Sequence, residues 1–233
     1  MPAEYLFAPP DVPAVAVTGE SRLFPVRRIF CVGRNYAAHA AEMGVEADRE
    51  APFYFTKSAH AICPTGATIP YPAGTRDCHH EMELVVALGR GGAELAEAEA
   101  MALVFGYACG IDLTRRDLQA VAKDRRRPRD LGKDFDNAAV IAPITPAARF
   151  GVIGEQRIWL DRNGARVQEA RLSDMIWPVP AIIAHLSRFY RLAAGDLIYT
   201  GTPAGVGPVG PGGALEGGID GLAPVRLQIA PAG

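Results

Sequence analysis

The sequence predicts an α+β fold, mostly β, built as one domain. Two observations carry this expectation. The chain is divided into many short apolar or β-branched runs, separated by turn residues, with 25 glycines and 19 prolines in 233 residues. Only a few segments show helical spacing, and no internal repeat is present.

In order along the chain, residues 1–25 are rich in Pro and Ala and read as an extended entry segment, with the folded domain over 26–233. Residues 26–32 (VRRIFCV) form a strand that Gly33 breaks. Residues 36–43 (YAAHAAEM) favour a short helix, with Asn35 as its N-cap and Gly44 as its stop. Residues 53–57 (FYFTK) are aromatic and strand-like, and 62–75 form a turn-rich loop. Residues 81–88 form a strand ended by Gly89, 93–102 an acidic surface helix or turn, and 103–111 a strand that ends in Asp112. Residues 117–124 supply one or two helical turns that run into the basic cluster 125–129. Asn163-Gly164 joins two strand-like runs over 158–167, the signal of a type I′ hairpin. Residues 180–192 read as the clearest helix, with Ile182, Ile183, Leu186, Phe189 and Tyr190 at helical spacing and Gly195 beyond its end. A strand follows over 196–200. The Gly/Pro-rich stretch 201–218 lacks Gly-Lys-Ser/Thr and reads as turns around a site rim, not as a phosphate loop.

Composition narrows the function. A net charge of −2 gives no case for nucleic acid or an anionic membrane, and no apolar run is long enough to span a bilayer. The first residues, MPAEYLFAPPDVPAV, lack the basic and apolar regions of a secretory signal. Cys31, Cys63, Cys78 and Cys109 show neither close pairing nor metal-ligand spacing, so they read as reduced thiols of a cytoplasmic protein.

The chemistry concentrates between Asp77 and Gln119. Alternation along a strand turns His79, Glu81 and Glu83 to one side. An isolated Glu-x-Glu is ordinarily a solvated face. Here Val85 and Ala87 continue the same face as apolar residues, so the acidic end reads as the mouth of a site. Adjacent carboxylates repel and are costly to desolvate, and a hard cation relieves both penalties. Asp112 adds a third carboxylate, and an all-oxygen set without Cys favours Mg²⁺ or Mn²⁺ over zinc. His39 and Glu42 share a helical face, either as a surface pair or as a base with its orienting carboxylate. Lys57 and Lys133 are either surface lysines or fixed positive charge beside an anionic substrate. Arg116 and Gln119 lie four and seven residues past Asp112, on one side of a helical turn suited to a carboxylate or keto oxygen.

Six ordered blocks together carry a resemblance. They are Cys31 to His39 (CVGRNYAAH) with Glu42; Phe55-Thr56-Lys57; His79 to Leu84 (HHEMEL); Gly110 to Thr114 (GIDLT) with Arg116, Asp117 and Gln119; Lys133 to Asp136 (KDFD); and Gly201-Thr202-Pro203 with Gly205-Val206-Gly207. In this order they resemble the fumarylacetoacetate hydrolase family, and most of all its small acylpyruvate and fumarylpyruvate hydrolases. The resemblance implies the mixed β-roll of that family and, usually, a homodimer. It implies Glu81, Glu83 and Asp112 as ligands of Mg²⁺ or Mn²⁺, and His39 with Glu42 as a water-activating dyad on a mobile lid. Lys133 would stabilise developing charge, with Arg34, Lys57, Arg116, Gln119 and Thr202 beside the substrate. The implied reaction is hydrolysis of the C–C bond of a 2,4-diketo acid, with fumarylpyruvate as the expected substrate. A second carboxylate on that substrate would meet the 125–129 cluster, through Arg126 and Arg127. Oxaloacetate decarboxylation or keto-acid tautomerisation uses the same metal-stabilised enolate and is the alternative. Two departures from the family pattern, Ala38 and Asp134, bear on the substrate more than on the reaction class.

Overall fold

The computed structural model describes residues 4–42 and 51–231. Among these residues an eight-stranded mixed sheet forms the centre, and a five-stranded sheet packs on one of its faces. In the large sheet the strands run Phe53–Lys57, Arg28–Gly33, Asp196–Tyr199, Met82–Leu88, Val104–Asp112, Ala139–Ile141, Ile62–Pro64, and Thr145–Pro146 also pairs with Val104–Asp112. Asp196–Tyr199 is parallel to Arg28–Gly33 on one side and antiparallel to Met82–Leu88 on the other, so it closes the middle of the sheet. The small sheet runs Ala165–Arg171, Arg157–Arg162, Ala214–Ile219, Val225–Ile229, Ala67–Ile69. The predicted mostly-β α+β fold is the observed one.

The two central strands are buried on both faces, and their side chains divide between two cores. Leu84, Val86, Leu88, Cys109 and Ile111 face the small sheet, where they meet Ile158, Leu160, Leu215 and Leu227. Val85, Ala87, Ala108 and Tyr199 face the opposite layer, with Val15, Val17 and Phe24. Glu83 is therefore at the acidic end of an apolar face that continues through Val85 and Ala87, as the alternation requires.

The hairpin between Arg157–Arg162 and Ala165–Arg171 turns through Asn163 at φ 53° and Gly164 at φ 79°, both left-handed, as a type I′ turn demands. All four cysteines are buried and free.

Four expectations are corrected. Asn35 does not cap the Ala37–Glu42 helix. Its amide donates to the carbonyls of Trp177 (3.0 Å) and Thr200 (2.8 Å), and its oxygen accepts from the Trp177 N–H (2.7 Å), so it ties three segments together. The expected stop of that helix, at Met43 and Gly44, lies outside the described residues. The loop 62–75 contains the strands Ile62–Pro64 and Ala67–Ile69, whose parallel partners are remote in sequence and leave no local periodicity. The helix predicted over 180–192 spans Val179–Leu186. The chain leaves it at Ser187, so Phe189 and Tyr190 are exposed. Within 201–218, Ala214–Ile219 is an interior strand of the small sheet. Gly217 and Gly218 belong to it because a Cβ there would lie 2.5 Å from the Met82 sulfur and 2.7 Å from the Trp159 ring.

Candidate active site

Two adjacent strands and the segment leading into one of them assemble the carboxylates. Glu83 stands across from Gly110 in the register between Met82–Leu88 and Val104–Asp112. Just before the pairing begins, the Asp112 N–H donates to the Glu81 carbonyl at 2.8 Å. This backbone frame brings a carboxylate oxygen from each of Glu81, Glu83 and Asp112 within 4.8 Å of the others, all three residues buried.

Three cations balance them. Arg116 Nη2 meets Glu81 Oε1 at 2.5 Å, and Lys133 Nζ meets Glu81 Oε2 and Asp112 Oδ2 at 2.8 Å each. The third Lys133 N–H goes to Thr114 Oγ1 at 2.7 Å. Lys57 Nζ lies 2.8 Å from Asp112 Oδ1 and donates to the carbonyls of Leu113 (3.1 Å) and Lys133. The pairing is uneven. Burial raises the Glu81 pKa, but Lys133 and Arg116 outweigh it and hold the carboxyl below its usual range. Burial also raises Glu83, and the neighbouring Asp112 and Glu81 push it further, well above the carboxylate range. The Glu83 carboxylate accepts only the Gly201 N–H, at 2.7 Å, and meets no cationic side chain within ion-pair distance among the described residues. A buried all-oxygen cluster that lacks positive charge at one member fits a hard divalent cation such as Mg²⁺ or Mn²⁺.

The carboxylates open into a cavity of about 200 Å³ whose wall includes Arg34, His39, Phe53, Phe55, Glu81, Glu83, Arg116, Gln119, Lys123, Arg129, Lys133 and Thr202. Nine of the eleven residues expected from the sequence fall on this wall or ligand cluster: His39, Lys133, Arg34, Arg116, Gln119, Thr202, Glu81, Glu83 and Asp112. Glu42 ends the Ala37–Glu42 helix, and its side chain lies outside the described residues. Lys57 differs from expectation. Its Nζ makes an ion pair with Asp112 and donates to two backbone carbonyls beneath it, and the residue does not line the cavity, so it supports a carboxylate. His79 also stands apart, held by Asp77 (2.9 Å) and Arg116 (3.4 Å). Of the 125–129 cluster, Arg129 lines the cavity, whereas Arg126 and Arg127 are exposed and do not.

The model of the fumarylacetoacetate hydrolase C-terminal family matches residues 28–230. The chain belongs to the fumarylacetoacetate hydrolase family. A fumarylpyruvate hydrolase of a Ralstonia species is 47% identical over 193 residues, 82% of this chain and 100% of that protein. The mitochondrial oxaloacetate tautomerase of Mus musculus is 40% identical over 203 residues, 87% of this chain and 91% of that protein. The crystal structure of a fumarylpyruvate hydrolase from Pseudomonas aeruginosa, in complex with Mn²⁺ and pyruvate, superposes with a TM-score of 0.94 at 43% identity, over 98% of this chain and 100% of that one.

This member of the fumarylacetoacetate hydrolase family also shows a support the sequence did not reveal. Gln168, buried in the Ala165–Arg171 strand of the small sheet, accepts from the Met82 N–H (3.0 Å) through Oε1. That contact fixes the amide, so Nε2 donates to Thr202 Oγ1 and to the Pro203 carbonyl, both at 2.9 Å. Thr202 then accepts from Gln168 and keeps its own O–H to donate elsewhere. The same Oε1 lies 3.3 Å from His80 Nδ1. Burial, and to a lesser extent Arg162, lowers the His80 pKa to about 4 although the Gln168 contact opposes this, so the ring is neutral and donates from Nδ1. In the sequence Gln168 sits in ARVQEAR, a polar strand with nothing to mark it as part of a site.

Proposed function

We propose that the protein is a divalent-metal-dependent hydrolase that splits fumarylpyruvate, a 2,4-diketo acid, into fumarate and pyruvate. The observation that carries this reading is a single cavity in which a buried histidine, His39, faces a cation-binding carboxylate cluster together with Arg116, Gln119, Lys133 and Thr202. The 47% identity to the Ralstonia fumarylpyruvate hydrolase supports the choice of substrate.

In this reading Glu81, Glu83 and Asp112 hold Mg²⁺ or Mn²⁺, which supplies Lewis-acid polarisation and a template for the keto acid. Arg116 and Gln119 receive the substrate carboxylate. The Gln119 oxygen accepts from Arg116 Nη1 at 2.5 Å, which turns its N–H₂ outward as a donor. His39, with Glu42 as its orienting partner, takes a proton from water. The water oxygen bonds to the distal carbonyl carbon, the bond from that carbon to the methylene breaks, and the electron pair passes to the pyruvate enolate, which is then protonated. Lys133 stabilises the enolate charge by giving up one of its three present hydrogen bonds. Thr202, oriented by Gln168, supplies a further donor. A homodimer, a cytoplasmic location and one catalytic unit over 26–233 complete the proposal. No helix among the described residues is long and apolar enough to cross a membrane.

A second reading, oxaloacetate tautomerisation or decarboxylation, is favoured by relatives bearing those names at 38–41% identity. The test is incubation of the protein with fumarylpyruvate, acetylpyruvate and oxaloacetate, with Mg²⁺ and with chelator, while enol absorbance is followed. Mg²⁺-dependent loss of fumarylpyruvate with release of pyruvate is expected. Faster turnover of oxaloacetate transfers the proposal to the second reading. Full activity after exhaustive chelation removes the metal from it.

A further inference from the structure

The wall of the cavity carries a feature that the reaction steps do not use. Phe53, Phe55 and Lys57 share one face of the Phe53–Lys57 strand. Lys57 lies under Asp112, the Phe55 ring is 4.7 Å from Lys133 Nζ, and the Phe53 ring is flanked by two guanidiniums, Arg34 at 5.5 Å and Arg129 at 5.3 Å. At about 3.3 Å of rise per residue, this face carries the row about 13 Å along the strand, from Lys57 to Phe53.

The two arginines are unusual in their surroundings. Both are half-buried on the cavity wall, yet neither guanidinium has a hydrogen bond or ion pair with any described residue. Among the described residues, each guanidinium packs on the Phe53 ring. Burial lowers the Arg129 pKa, and the Arg34 charge lowers it further, so the pair repels itself. Arg34 is held at φ 56°, a left-handed conformation that a residue with a side chain adopts at a cost. The Phe53 ring stays against them because its strand partner is Gly33. A Cβ at Gly33 would lie 2.0 Å from the ring. Two partly desolvated, mutually repelling guanidiniums, held in place on a cavity wall and meeting no acid among the described residues, form a receptor for an anion brought in from outside.

We infer that Arg34 and Arg129 form a carboxylate subsite that takes the far carboxylate of a dicarboxylic diketo acid, at the other end of the row from the metal cluster. This rests on the hydrolase reading and adds a basis for substrate choice: acylpyruvates that end in a carboxylate are preferred over those that end in a methyl group. It also replaces Arg126 and Arg127, to which sequence position points, with one other member of their cluster and with Arg34, just past the Arg28–Gly33 strand.

The experiment compares Arg129→Gln and Arg34→Gln with wild type and with Arg126→Gln as an exposed control. In the first arm, kcat/KM is measured for fumarylpyruvate and acetylpyruvate. Each subsite variant is expected to lower kcat/KM for fumarylpyruvate by roughly 10–100-fold, the usual worth of a charge-assisted hydrogen bond, and for acetylpyruvate by less than about threefold. The control should leave both values unchanged. In the second arm, which needs no turnover, fumarate and its monocarboxylate counterpart crotonate are titrated calorimetrically in the presence of Mg²⁺. Fumarate should bind wild type more tightly, and that preference should shrink about tenfold or more in Arg129→Gln. Equal effects on the two substrates, or an unaltered fumarate preference, overturn the subsite. If wild type cleaves neither diketo acid, the hydrolase reading fails and the fumarate titration alone decides the subsite. Circular dichroism melts establish that each variant is folded before either arm is read.

Discussion

Replacing Lys133 with Met tests whether this lysine and a bound cation neutralise the same carboxylates. The ammonium is buried, with its three donors on Glu81, Asp112 and Thr114. Burial alone lowers its pKa, but Asp112 and Glu81 more than reverse this and hold it fully charged. Met matches the stem and removes the charge, leaving Arg116 on Glu81 and Lys57 on Asp112. Removing one partner of a buried ion pair costs about 3–5 kcal/mol, because the remaining charge stays desolvated. For a chain of this size 1 kcal/mol moves Tm by about 2–4 °C, so in chelator Lys133→Met should melt roughly 6–20 °C below wild type. With Mg²⁺ or Mn²⁺ the cation supplies the missing charge, and most of that deficit should disappear. The rise in Tm on adding metal should therefore be larger in the variant than in wild type, while kcat falls by roughly 10²-fold or more. Differential scanning calorimetry with chelator and with each metal, beside a fumarylpyruvate assay, gives both numbers. An identical metal-induced rise in the two proteins would refute the shared-carboxylate reasoning. Retained kcat would remove Lys133 from the chemistry.

Three further outcomes are expected. His39→Ala should lower kcat by roughly 10²–10⁴-fold with metal occupancy intact, and adding Glu42→Ala should lower it no further, since the pair acts as one unit; additive losses in steady-state kinetics would give Glu42 a separate task. Burial and the neighbouring Asp112 and Glu81 raise the Glu83 pKa, so in the metal-free fold it keeps a proton that the unfolded chain loses above about pH 4.3. The folded state then binds more protons, this group's contribution to stability falls as pH rises through that window, and cation binding expels the proton. Calorimetric titration in buffers of different ionisation enthalpy should detect release of up to about one proton per cation, and the same release in Glu83→Gln would contradict the assignment. Gln168→Leu strips a buried acceptor from Met82 N–H and a donor from Thr202 and Pro203, at about 1–3 kcal/mol for each group left unpaired, and should lower Tm and raise KM; an unchanged KM in that variant would show that Thr202 does not need its support.

The sequence made legible whatever depended on local order. Alternation exposed the face running from Glu83 into Val85 and Ala87, and Asn163-Gly164 marked a hairpin because its backbone demands two left-handed residues. Ordered motifs brought forward Glu81, Asp112, His39, Arg116, Gln119 and Lys133. Hidden were residues whose role comes from partners remote in the chain. Asn35 is placed as a helix cap should be, yet its amide joins Trp177 and Thr200. Gln168 crosses from the second sheet to Met82 and Thr202. Lys57 reads in the sequence as a substrate-binding lysine, but only its ion pair with Asp112 and its backbone partners reveal that it lies behind the carboxylates. Arg129 is one of several arginines in a basic run, and nothing local separates it from Arg126 and Arg127.

The position of Asp196–Tyr199 between Arg28–Gly33 and Met82–Leu88 also constrains how the chain is made. Glu83 receives its backbone donor from Gly201, 118 residues later, and Leu84 pairs with Thr200 across 116. A ribosome-bound chain that has emerged only to residue 195 holds two apolar strands with an empty slot between them, each with an open edge. Pairing at such separation is slow, and those edges stay exposed to other chains throughout. Glu83 thus gains its backbone donor only late in synthesis, and a truncation before Asp196 should accumulate as aggregate and not as a smaller metal-binding fragment.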